Sequence, residues 1–568
     1  MNRVKKLLIY LKDYKKECVL APLFKMLEAS FELFVPLVVA AIIDKGIAGR
    51  DLGYIVRMCL MLVLLAVIGL VCSVTAQYFS AKAAVGFGTG VRQALFKHLL
   101  SLSFTEVDTL GTATMMTRMT SDVNQAQNGV NMVLRLFLRS PFVVLGATVM
   151  AFTIDAKSAL IFVIAIILLS IVVFGIMLMN IPMLKAVQQR LDQVLSSTRE
   201  NLAGVRVIRA FGKEQEELEA FTTRNEALTH IQKKAGTIAA LNVAIVRLIW
   251  VGAIQVDQGI LSQGQVVALY NYMSQILVEL IKLAALIITV NKSIACGNRI
   301  SDVFEIKSSM AYGSYGAGNV DESAPIVSFK NVSLTYKGAG EESLTAINFE
   351  VKKGETVGII GGTGSGKSSL VHLIPRFYDA TAGEVLINGE NVKSYERKAL
   401  LNKIGIVMQK AVLFKGDIAS NIKWGNKEAS EEDINEAVAL AQGSEVVAQK
   451  GGLEGKIEQG GRNLSGGQRQ RMSIARALVK KPEILILDDS TSALDFATDA
   501  KLRMAIRNLD YKPTVFIVSQ RASSIQYADQ IIVLDDGKMV GKGTHETLLE
   551  ECEVYREIYY SQFKKEEA

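Results

Sequence analysis

The chain has 568 residues, 50% of them hydrophobic, with a mean hydropathy of +0.28 and a formal net charge of +7. That length exceeds what one hydrophobic core serves, and that hydropathy excludes a purely soluble protein of this size. The apolar excess lies before about residue 295 with basic residues beside it, so the charge points to membrane orientation and not to nucleic acid.

Residues 1–17 mix Lys with Leu, Ile and Tyr at helical spacing, which predicts an amphipathic helix lying on the cytosolic face of a membrane. The apolar run that follows is not preceded by a cleavable signal-peptide pattern. Six stretches are long enough to cross a bilayer, at about 18–43, 55–80, 136–154, 158–179, 235–256 and 264–294. The fifth, between Lys234 and Asp257, is barely long enough. The intervals 81–135 and 180–234 are long and carry Lys82, Arg92, Lys97, Arg118, Lys185, Arg190, Arg206 and Arg209. By the positive-inside rule these intervals and both termini are expected in the cytosol. A six-span membrane domain over 18–307 is therefore expected, with helices that project well beyond the bilayer. Cys18, Cys59, Cys72, Cys296 and Cys552 are odd in number and lack metal-ligand spacing, so they read as free thiols.

Several charges fall inside these spans. Glu28 and Glu32 lie one turn apart in the first, Glu279 and Lys282 in the sixth, and Arg247 in the fifth. Charges at membrane depth face a cavity or pair with one another, so two readings stand: a polar substrate path favouring cationic amphiphiles, or structural ion pairs. Arg135 and Arg139 are expected at an interface.

Residues 308–325 are small, polar and glycine-rich and read as a linker to a second domain over 326–568. Ile326–Phe329 and Val332–Tyr336 alternate like antiparallel strands, and Tyr336 is placed to stack a base. The apolar run Thr356–Ile360 leads into Gly361-Gly362-Thr363-Gly364-Ser365-Gly366-Lys367-Ser368-Ser369 and then a helical pattern. Strand, glycine-rich turn and helix together make a phosphate cradle, in which backbone N–H groups and the helix N-terminus face phosphate oxygens. Lys367 can reach the terminal phosphates and Ser368 can offer its hydroxyl to Mg²⁺, so ATP or a close relative is the expected ligand. Ile404–Val407 is a strand leading to Gln409. Asn463-Leu464-Ser465-Gly466-Gly467-Gln468 opens a helix, and Ile484–Leu487 is a buried strand ending in Asp488 and Asp489. Asp488 fits the Mg²⁺-associated carboxylate of a phosphoryl-transfer site. Ser492–Asp495 and the strand Thr514–Ser519 before Gln520 complete the set.

Taken together, the phosphate loop, the LSGGQ run and the LILDD strand resemble the nucleotide-binding domain of ABC transporters. With six spans before them, the whole chain resembles a half-size type IV ABC exporter. The resemblance implies an α-helical membrane domain of six transmembrane helices fused to an α/β P-loop nucleotide-binding domain. It implies that Gln409 touches Mg²⁺, and that two chains sandwich two ATPs. Each ATP would lie between one chain's phosphate loop and the other's Ser465, Gly466, Gly467 and Gln468. It also implies coupling helices near Asp108–Thr114 and Arg209–Gln215.

Two positions depart from the family pattern. Asp489 stands where hydrolytic sites carry Glu, and Gln520 where they carry His. Asp is one methylene shorter and Gln cannot become a cation near neutral pH. The chain's own site is expected to hold ATP and cleave it slowly, while the intact signature suggests an unlike partner chain that supplies Glu and His. The expected function is one subunit of an ATP-driven exporter of amphipathic drugs or lipids in a bacterial cytoplasmic membrane. A homodimer with two slow sites, or a regulatory ATP-binding subunit or ATP-gated channel, are the alternatives.

Overall fold

A computed structural model describes residues 2–154, 163, 167, 186, 187, 189–191, 193–239, 262–316, 323–490 and 492–563. The expected spans at 158–179 and 235–256 lie outside the described residues for nearly all their length, as do Lys185 and Arg247. The chain divides into two compact units: Met1–Leu100 with Thr112–Ile306, and Ser101–Gly111 with Lys307–Ala568.

The first unit is helical. Among the described residues, four runs are long and apolar enough to cross a membrane: Lys5–Ile47, Leu52–Ser101, Thr112–Ile154 and Gln263–Glu305. The N-terminal stretch forms a short helix, Asn2–Leu7, and a 3-10 segment, Leu8–Tyr14, that runs into α1 (Lys15–Ala41). The helix α2 (Leu52–Ser101) has 50 residues. At 1.5 Å per residue it spans roughly 75 Å, more than twice a hydrocarbon core of about 30 Å. Only 6% of its apolar window is buried, and Leu60, Val63, Leu64, Val67, Leu70 and Val74 are all exposed. A helix apolar around its whole circumference yet unburied by its own chain suits lipid or other membrane helices.

After α3 (Phe104–Leu110), the third run contains α4 (Val123–Leu136) and α5 (Arg139–Ile154), and the last is α6 (Gln263–Glu305). A capping box starts α6: Ser262 Oγ accepts from the Gln265 N–H, and Gln265 Oε1 accepts from the Ser262 N–H. Asp44 ties the end of the first run to this cap, accepting from Ser262 Oγ at 2.5 Å and from the Gly264 N–H at 2.9 Å. A Cβ on Gly264 would stand 2.4 Å from the Ala40 carbonyl oxygen, so glycine is required there. Small residues bring the helices together: Ala40 on α1, Ala147 and Ala151 on α5, and Ala268 on α6 share one core with Leu33, Tyr272 and Ile276. The Tyr272 hydroxyl donates to the Leu33 carbonyl at 2.7 Å, satisfying the one polar atom that a buried Tyr brings.

Among the described residues, the acids placed inside the spans, Glu28, Glu32 and Glu279, are paired. Glu28 accepts from Lys25 Nζ at 2.5 Å, and both residues are buried. Arg139, expected at an interface, is enclosed by its own chain's helices. It is buried, and its guanidinium bridges Glu32 on α1 (2.6 Å) and Glu279 on α6. The physical reason is the acid on either side, which desolvates the guanidinium at less cost than an apolar wall would.

Among its described residues the second unit holds three sheets, the smallest being the antiparallel pair β7 (Gly416–Asp417) and β8 (Lys456–Ile457). An antiparallel sheet has the order β2-β1-β4-β5, from β1 (Val327–Leu334), β2 (Leu344–Val351), β4 (Ala382–Ile387) and β5 (Glu390–Asn391). A six-stranded sheet has the order β12-β11-β3-β10-β9-β6. Its strands are β3 (Thr356–Gly361), β6 (Ile404–Val407), β9 (Ile484–Asp488), β10 (Thr514–Val518), β11 (Gln530–Asp535) and β12 (Lys538–Gly543). All its pairings are parallel except β11 with β12. Every residue of β9 and β10 is buried, as expected of parallel strands covered on both faces. The register aligns Ile359 with Val518 and Val518 with Asp488. The carboxyl ends of β3, β10 and β9 therefore finish side by side, where ligands bind in sheets of this kind.

The helix α3 groups with this second unit. Phe104 stacks on Phe377 with ring centroids 4.5 Å apart, and the Tyr378 hydroxyl donates to Asp108 at 2.6 Å. The second expected coupling segment, Arg209–Gln215, runs from the last two residues of the helix Val205–Ala210 to the first two of the helix Glu214–Ala239.

Candidate functional site

Past β3 the chain must turn sharply, and glycine alone tolerates that path. Gly361 has φ +158, and a Cβ there would lie 2.1 Å from the Leu534 carbonyl oxygen. Gly366 has φ +93 and serves as N-cap of α7 (Lys367–Leu373), where a Cβ would sit 2.7 Å from the Ser343 carbonyl oxygen. Lys367 is buried, its Nζ folded back onto the Gly361 carbonyl (2.9 Å), the Gly362 carbonyl (2.5 Å) and Ser365 Oγ (3.3 Å). Burial pulls its pKa down, opposed by Asp489 and Asp488. A cation held only by neutral oxygens in a glycine cradle is matched to an anion.

Beside it, Ser368 Oγ donates to Asp488 Oδ1 at 2.8 Å, and Asp488 is 1% exposed at the end of β9. Gln409, two residues past β6, donates Nε2 to Asp489 Oδ2 at 3.2 Å. A hydroxyl, a carboxylate and a carboxamide converge as hard oxygen donors, the set that Mg²⁺ prefers. Asp489 itself sits at φ +44, uncommon for a non-glycine residue, with its N–H on the Val518 carbonyl at 3.0 Å. Burial raises its carboxyl pKa, and the hydrogen bond from Gln409 works against that rise.

Tyr336, Thr363, Gly364, Gly366, Lys367, Ser368, Ser369, Gln409, Asp489 and Gln520 line one open cavity of about 840 Å³. Tyr336 is anchored there by its hydroxyl on Ser369 Oγ (2.9 Å) and by an edge-on contact with Tyr378 (5.0 Å). Ser465, Gly466, Gly467, Gln468 and Asp495 do not line the cavity. Ser465 and Gln468 instead form the capping box of α8 (Gly466–Leu478), and Asp495 caps the helix Phe496–Arg507 through Thr498.

The family of the ABC transporter transmembrane region matches residues 18–280, and the ABC transporter family matches residues 344–492. A Mycobacterium tuberculosis protein, described as an uncharacterised ABC transporter ATP-binding protein, is 34% identical over 97% of each chain. This chain belongs to the ABC transporter family.

Similar in the same way is the ABC transporter ATP-binding protein YfiB of Bacillus subtilis, also uncharacterised, 34% identical over 99% of each chain. YgaD of Bacillus subtilis, named as a candidate multidrug export ATP-binding/permease protein, is 30% identical over 98% of this chain and 99% of its own. The fold is shared with a solved bacterial Atm1-family ABC exporter with ATP bound, at a TM-score of 0.76 and 24% identity over 97% of this chain and 99% of that one. As an ABC transporter the chain couples an ATPase domain to a membrane domain, and the family binds ATP with Mg²⁺.

The geometry adds residues that the motifs of this transporter do not announce. His372, five residues past Lys367 on α7, has its Nε2 3.2 Å from Asp488 Oδ2. Gln562, in the helix α9 (Glu553–Gln562), grips the loop after β10 from both sides. Its Nε2 donates to the Gln520 carbonyl (2.7 Å), and its Oε1 accepts from the Ala522 N–H (2.9 Å). A helical Gln some 40 residues from its partner carries no sequence signal, whereas His372 stands beside a recognised motif.

Proposed function

We propose that this ABC transporter is one half of an ATP-driven exporter whose own site retains ATP and cleaves it slowly, paired with an unlike half that completes a productive site. The observation that carries this reading is the pair Asp489 and Gln520 in the cavity that holds Lys367, Ser368 and Gln409. Lys367 and the loop N–H groups would hold the phosphates, Tyr336 the base, and Ser368, Asp488 and Gln409 the magnesium. Mg²⁺ supplies neutralisation of charge on the phosphate oxygens. Asp489 is engaged by Gln409 and is one methylene short of the reach a water-orienting carboxylate needs. A displacement of about 1 Å costs on the order of a hundredfold in rate. Gln520 offers a hydrogen bond but no cation.

The intact Ser465–Gln468 segment would close over the partner's ATP, which is why an unlike partner is preferred to a regulatory subunit that does not turn over. ATP closure of the paired halves biases the membrane domains between inward and outward states, and hydrolysis at the partner's site resets them. The basic intervals support a cytosolic ATPase domain and cytosolic termini, in the cytoplasmic membrane of a bacterium. The cargo is proposed as small amphipathic compounds.

The test is a paired assay of ATP-dependent transport and phosphate release. Asp489→Glu is expected to raise turnover only modestly, whereas removing the partner's Glu carboxylate abolishes it. Equal losses from changing either acid, or dye movement without hydrolysis at either site, would refute unequal halves.

A further inference from the structure

The first unit contains a cavity of about 460 Å³ between α1, α5 and α6. Its wall carries a ladder of four charges in alternating sign. Glu32 accepts from Arg139, Arg139 donates to Glu279, and Glu279 accepts from Lys282 at 2.9 Å. Ser140 Oγ also donates to Glu279, at 2.8 Å. The two middle members are closed off, with side chains 8% and 4% exposed, while the end members are open, Glu32 at 45% and Lys282 at 43%. Two buried polar atoms facing this region have no hydrogen-bond partner: Nε of Arg139, a residue 7% exposed, and Oε1 of Gln275. Val35, Val143 and Val278 make the rest of the wall apolar.

Open ends and orphaned buried atoms are places where a ligand supplies missing partners, because each unpaired polar group at membrane depth costs free energy. Another ion pair in the first unit, Lys25 with Glu28, has no such open end, both residues being buried. The ladder sums to no net charge but has direction: a half-exposed carboxylate at one end and a half-exposed ammonium at the other. A purely cationic ligand drawn to Glu32 meets Lys282, and a purely anionic one drawn to Lys282 meets Glu32. Each ladder end thus excludes ligands that only the other attracts.

We infer that this cavity is a binding site for amphipathic zwitterions, with the ligand's cation on Glu32, its anion on Lys282 and its apolar part against the valines. Short apolar peptides with free termini are the simplest members of that class. This replaces the cationic amphiphiles that the acidic residues alone suggest. It rests on the reading of the chain as a transporter half, but not on which ATP site is slow.

The experiment measures equilibrium binding of leucine peptides of two to four residues to the full chain with its partner in lipid nanodiscs, without nucleotide. Free-termini, N-acetylated, C-amidated and doubly blocked forms are compared. The free form is expected to bind about tenfold tighter than either singly blocked form. Glu32→Gln removes the penalty of acetylation and keeps that of amidation, and Lys282→Gln does the reverse. Both variants leave the buried Arg139–Glu279 pair intact, so each retains the fold. Equal binding of all four forms, tightest binding of the cationic amide, uniform weakening in both variants, or no binding overturns the inference. Because no ATP is present, failure here is separate from failure of the slow-site reading, which phosphate release reports.

Discussion

Changing Asp489 to Glu and Gln520 to His together is expected to raise ATP turnover by this chain without its partner by about a hundredfold. Neither change alone is expected to approach that. The two positions act on the same phosphate and water, so their effects combine more than additively. The scaffold for the gain is already present. The Asp489 backbone is fixed at φ +44 by its N–H on the Val518 carbonyl, so a longer side chain starts from a set direction. The cavity that receives it, about 840 Å³, has room for one more methylene. Gln562 holds the main chain at Gln520, so an imidazole would inherit a positioned backbone. It would add a group that can carry a proton near neutral pH. Phosphate release by the purified double variant without its partner is the measurement. Turnover unchanged from the parent chain would show that the two side chains do not limit the rate.

Arg139→Leu is expected to destabilise the membrane unit by about 3–5 kcal/mol. The guanidinium is the link between Glu32 on α1 and Glu279 on α6. Without it Glu279, 3% exposed, keeps only Lys282 and the Ser140 hydroxyl against its desolvation. Arg139→Leu combined with Glu279→Leu should recover most of the loss, since a buried pair replaced by apolar groups costs far less than a buried charge left alone. The thermal unfolding midpoint in detergent reads both variants. An unchanged midpoint in Arg139→Leu would mean that the helices do not depend on this bridge.

How much was legible in the sequence follows from the range of each interaction. The phosphate loop declares itself because three requirements, a strand, glycines at tight turns and a helix start, fall within fifteen or so residues, Thr356–Leu370. Glu279 and Lys282 could be paired on paper because i,i+3 positions share a helix face. Arg139 could not, since its two acids lie 107 and 140 residues away and only packing brings them together. Hydropathy located the described spans but not their ends. The helix α2 runs on to Ser101, past the apolar residues that predict it, because helical winding continues where hydropathy falls. The grouping of α3 with the second unit depends on Phe104 meeting Phe377, a contact with no local pattern. Gln562 was invisible for the same reason.

The slow-site account is tested most directly by the chemical identity of the nucleotide that the chain keeps. The chain is purified without a partner and incubated with Mg-ATP, the free nucleotide is removed, and the bound fraction is extracted. Recovery of mostly intact ATP is the predicted result. Recovery of ADP with sustained phosphate release from this chain alone would contradict it.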